Sequence, residues 1–98
     1  MYKVLLVDDE WMILDGIASV MNWNRLGTEL IGTAQDGMEA LAFIEIQRPD
    51  IIITDIRMPG MDGLQLVEAV AEKYQDVSFI MLTGFTEFEY AKRAMQYG

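Results

Sequence analysis

Asp8, Asp9 and Glu10 follow directly on an apolar run at residues 4–7, and Asp55 closes a second run at residues 51–54. A third run, residues 79–82, ends in Thr83. Carboxylates and a hydroxyl offer oxygen chemistry only. The chain has no His and no Cys, which excludes imidazole acid–base pairs, thiolate metal sites and disulfides. If the acids converge, two carboxylates about 5 Å apart repel by roughly 3 kcal/mol at an effective dielectric of ~20. A hard divalent cation relieves that repulsion. Mg²⁺ takes oxygen ligands, keeps several waters, and usually meets one or two carboxylates together with phosphate oxygens.

These side chains need a scaffold that brings strand ends together. Residues 4–7 are short, β-branched at both ends and apolar throughout, which suits a strand covered on both faces. Residues 51–54 and 79–82 repeat the pattern, and residues 29–34 form a weaker fourth strand. Between them lie helical periods: Ile13, Leu14, Ile17, Val20 and Met21; Ala40, Leu41 and Ile44; Leu66, Val67, Val70 and Tyr74; and Phe88, Ala91 and Met95. The order is βαβαβαβα. Asp36 with Glu39 can cap the second helix, which Pro49 ends near Arg48; Asp62 can cap the third. Thr86 and Glu89 form a capping box for the fourth, and Gly98 stands where a glycine would stop it. Alternating elements imply right-handed crossovers and a parallel α/β sheet with helices on both faces.

The 98 residues suit one domain, 52% of them are hydrophobic, and 16 Asp+Glu against 7 Lys+Arg leave a net charge of −9. That balance supplies a core but no basic patch for nucleic acid. No stretch is long and uncharged enough for a membrane span, and the N-terminus does not resemble a signal peptide. A soluble cytoplasmic domain is expected.

Ligands of open parallel sheets bind beyond the carboxyl ends of the strands, where strand order reverses. With strand order 2-1-3-4, the reversal falls between the strands that deliver Asp9 and Asp55. The residues VLLVDDE at 4–10, ITDIRMPGMDG at 53–63 and MLTG at 81–84 resemble the receiver domains of two-component response regulators, with a flavodoxin-like sheet. The likeness covers the whole chain. Residues 23–27 (WNRLG) and 84–91 (GFTEFEYA) also resemble the subgroup whose receiver precedes an AraC-type helix-turn-helix output.

The resemblance implies a phosphoacceptor rather than an enzyme, with Asp55 taking a phosphoryl group from the phosphohistidine of a sensor histidine kinase. It implies Mg²⁺ held by Asp9 and Asp55, by Asp8 through water and by the backbone carbonyl of Arg57. Thr83 would hydrogen-bond the phosphoryl group and move inward as a switch. The family's lysine, switch aromatic, fifth strand and fifth helix have no match here. The expectation is therefore a receiver domain at residues 1–98 that is C-terminally incomplete and whose DNA-binding output is absent. The uncovered strand at residues 79–82, or the fourth helix, is expected to pair with a second copy.

Other readings of the same residues stay open. Asp8 or Asp9 could cap the following helix, and Thr83 alone could be a turn residue. A receiver-like module could dimerise without phosphorylation. A Mg²⁺-dependent aspartyl-phosphate phosphatase wants a second Asp two residues after the nucleophile, where Arg57 stands. A nucleotide-binding domain lacks its glycine-rich loop. Pro59-Gly60 and Asp62-Gly63 read as turn chemistry, the methionines as core filler, and Trp23 as an anchor for the loop entering the second strand. Trp11 opens the first helix beside the acids, where its fluorescence can report on them.

Overall fold

Leu5, Leu6 and Val7 are inaccessible to solvent, as the unbroken apolar run requires of a strand covered from above and below. A computed structural model of the chain describes residues 1–82. The predicted fourth helix and Thr83 lie outside the described residues. Strand β1 (Tyr2–Val7) pairs in parallel with β2 (Thr28–Ala34) on one side and β3 (Ile51–Asp55) on the other, and β4 (Ser78–Leu82) pairs with β3. The order is β2-β1-β3-β4, as expected, and it is the start of the flavodoxin-like order.

Helices α1 (Trp11–Val20), α2 (Gly37–Ile46) and α3 (Gly63–Lys73) alternate with the strands. One core gathers Leu5, Val7 and Ile52 from the sheet with Ile44 of α2 and Leu66 and Val70 of α3. A smaller cluster joins Ile56 and Leu64 with Met81 packed against them. Among the described residues no helix is long and apolar enough to cross a membrane.

The caps follow the sequence closely. The Asp62 carboxylate accepts from the Gln65 amide (2.8 Å) and the Gln65 side-chain oxygen from the Asp62 amide (2.9 Å), a complete capping box at α3. At α2 the Asp36 carboxylate accepts from Glu39 N–H (2.7 Å), while the Glu39 carboxylate reaches past the cap to Gln35 N–H (3.2 Å). Helix α2 stops at Ile46, two residues before Arg48. Gln47 is already extended at φ −144°, which leads into the extended conformation that Pro49 favours for its predecessor.

Trp23 anchors the entry to β2. Its indole donates to the Ala18 carbonyl (3.1 Å), and its own carbonyl accepts the Thr28 hydroxyl (2.7 Å) and amide (2.9 Å). One feature of β2 departs from the simple pattern: Val4 faces Leu30 but Leu5 faces Gly32, so Ile31 is an extra residue. The ring of Phe43 fills the space that a Cβ on Gly32 would need.

Candidate functional site

Val7 and Thr54 are register partners, so the next residues, Asp8 and Asp55, leave adjacent strands at the same edge. Asp8 continues the ladder by donating its amide to the Ala34 carbonyl (3.0 Å). It is 3% exposed, and its carboxylate accepts from Glu10 N–H (2.9 Å). Asp9 is exposed and Asp55 half-buried, and one carboxylate oxygen from each of Asp8, Asp9 and Asp55 lies within 4.8 Å of the other two. The crevice they occupy is where strand order reverses. Neither Asp8 nor Asp9 caps α1: the N-cap is Glu10, and it makes no side-chain cap bond. The capping alternative therefore does not account for them.

Proximity without a counter-charge raises the affinity of the acids for protons. Asp55 is pushed up to about 6, first by burial and then by repulsion from Asp8, with a lesser push from Asp9, against the downward pull of the neighbouring Ile56 and Arg57 amides. Asp8 is also raised, chiefly by burial, against the opposing hydrogen bond from Glu10 and with added repulsion from Asp9 and Glu10. An all-oxygen triad whose ligand atoms lie within 4.8 Å of one another is the kind of donor set that a hard divalent cation takes.

The segment between β3 and α3 forms the other wall. Ile56 is wholly buried and Met58 nearly so, while Gly60 turns the chain at φ +76°. A shallow cleft of about 380 Å³ is lined by Asp9, Arg57, Met58, Pro59 and Asp62. Arg57 is exposed there. Trp11, 62% exposed at the start of α1, lines a different cleft with Leu14, Asp15 and Glu39. The structure thus brings together Asp8, Asp9 and Asp55, with Arg57 beside them, whereas Thr83 lies outside the described residues.

Two residues at this edge escaped the sequence reading. Thr54, fully buried, donates its hydroxyl to the Asp55 carbonyl (3.0 Å). Gly63 approaches β3 so closely that a Cβ on it would overlap that same carbonyl oxygen. The Asp62-Gly63 pair carried a turn signal, but its distance from β3 has no signature in sequence.

The family model of the response regulator receiver domain matches residues 4–98. The chain belongs to that family. This receiver domain is 56% identical, over its whole length, to the uncharacterised transcriptional regulatory protein YesN of Bacillus subtilis, of which it spans 27%. It superposes with a TM-score of 0.89 on the two-component transcriptional regulator AraC of Clostridium phytofermentans; identity is 37%, over 96% of this chain and 73% of that one. That likeness agrees with the AraC-type features at residues 23–27 and 84–91. A CheY from Borrelia burgdorferi, solved with CheX, BeF₃ and Mg²⁺, gives a TM-score of 0.83 at 27% identity, over 99% of this receiver domain and 72% of that chain.

Proposed function

We propose that this receiver domain is the phosphoacceptor switch of a two-component system, with Asp55 the nucleophile. The observation that carries the reading is the convergence of three carboxylates at the switch point, with that of Asp55 half-buried. An Asp55 carboxylate oxygen attacks phosphorus, the P–N bond to the kinase histidine breaks, the departing imidazole takes a proton, and an acyl phosphate results. The Ile56 and Arg57 amides are placed to orient the attacking carboxylate. The residues that would hold Mg²⁺ are Asp9, Asp55, the Arg57 carbonyl and, through water, Asp8. When bound, the ion supplies positive charge to the transferring phosphoryl oxygens. The Borrelia relative, solved with BeF₃ and Mg²⁺, supports this assignment.

Thr83 is proposed as the hydroxyl donor to the phosphoryl group and the moving part of the switch. The phosphodonor is a sensor histidine kinase, and transcriptional relatives support a DNA-binding output elsewhere in the full protein, with the receiver at residues 1–98 as its input and in the cytoplasm. A second copy is expected to meet the β4 edge, where Ile80 is 49% exposed, or the fourth helix.

Incubation with acetyl phosphate and Mg²⁺, read by intact mass, tests the reading. A single phosphoryl adduct, labile to hydroxylamine, is expected on the parent chain. Asp55→Asn should lose it, and Asp9→Asn should form it at least tenfold more slowly. An adduct that persists in Asp55→Asn contradicts the assignment. Sustained hydrolysis of a generic phosphate ester would favour the phosphatase instead.

A further inference from the structure

The start of α3 lies against the phosphoacceptor strand in a way that the reaction just proposed does not use. Gly63 donates its amide to the Ile56 carbonyl (2.7 Å). A Cβ at Gly63 would overlap the Asp55 carbonyl oxygen and lie 2.9 Å from the Ile56 Cα. Both are backbone atoms of a buried, hydrogen-bonded strand end, so they cannot yield as the tip of a side chain would. The Asp55 carbonyl is further held by the Thr54 hydroxyl (3.0 Å).

That carbonyl and the Ile56 N–H belong to one planar peptide, which is joined directly to the Asp55 Cα that carries the acceptor carboxylate. Tilting the plane to make room for a methyl group would turn the Asp55 backbone and displace the carboxylate mounted on it. The structure assigns Gly63 the role of a positioning residue: its missing side chain, with the Thr54 hydroxyl, fixes the Asp55–Ile56 peptide and with it the backbone that aims the acceptor carboxylate. The assignment rests on Asp55 being the phosphoacceptor.

The matched comparison is Gly60, in the same loop. It has a positive φ of +76° but open space where a Cβ would stand, so Gly60→Ala strains the loop without pressing on β3. At saturating acetyl phosphate and Mg²⁺, where the Asp55 Oδ–P bond forms, the donor's P–O bond breaks and acetate leaves, Gly63→Ala is expected to react at least tenfold more slowly. Gly60→Ala should stay within twofold of the parent. In ¹⁵N–¹H spectra the Ile56 and Arg57 amides should shift in Gly63→Ala and hold still in Gly60→Ala. A parent-like rate in folded Gly63→Ala, or an equal loss in Gly60→Ala, overturns the assignment. Thr54→Val, isosteric and free of any clash, is expected to slow the reaction at least threefold. A parent-like rate in Thr54→Val beside an unfolded Gly63→Ala also overturns it. A parent chain that takes no label on Asp55 refutes the functional reading itself, while the amide spectra still test the positional claim about Gly63.

Discussion

Asp55 carries the sharpest consequence of the acidic cluster. Its carboxyl is lifted to about 6 from an ordinary 3.8, so between those values the native chain holds a proton that the unfolded chain has released. Stability, without divalent cations, therefore falls as pH rises through that window and is lowest above it. Urea unfolding in EDTA should show the parent gaining stability from pH 7 to pH 5, with a smaller gain in Asp55→Asn. Asp55→Asn should also be the more stable protein at pH 7. Equal pH slopes in the two proteins would mean that neither burial nor the neighbouring acids raise Asp55. These acids were legible in the sequence because each ends an apolar run, and in a parallel sheet such ends share one edge. Thr54 and Gly63 were not, since a hydroxyl on a neighbouring carbonyl and a missing Cβ acquire meaning only from distance.

Among the elements, helix starts were legible and strand details less so. Asp62 and Gln65 stand at capping-box spacing, and both reciprocal bonds form. Asp62→Ala should cost about 1 kcal/mol, read as a lowered thermal midpoint, while Gln65→Ala, which removes only the return bond, should cost less. An unchanged midpoint in Asp62→Ala would show that α3 is held by Leu64, Leu66 and Val70 alone. Helix α2 ends at Ile46, near the Arg48 that Pro49 points to; Pro49 restricts the residue before it without saying how soon the chain turns extended. The extra residue Ile31 in β2 has no signal in the sequence, since a single register shift leaves no period of its own. These boundaries leave the site untouched.

For the molecule as a whole, strand order is the decisive fact. With β1 and β3 adjacent and parallel, Asp8, Asp9 and Asp55 meet in a chain whose net charge of −9 favours cations near its surface. The folded chain assembles the acids and the unfolded chain scatters them, so an ion that bridges them stabilises the native state by mass action. At tenfold its dissociation constant the gain is about 1.4 kcal/mol, several degrees in thermal midpoint for a domain of this size. The most direct test is thermal unfolding at neutral pH across a Mg²⁺ titration, at constant ionic strength, for the parent, Asp9→Asn and Asp55→Asn. A saturable rise in the parent that is lost or much weakened in both variants is the predicted result. A midpoint that ignores Mg²⁺, or rises equally in all three proteins, would contradict a shared metal and phosphoryl site.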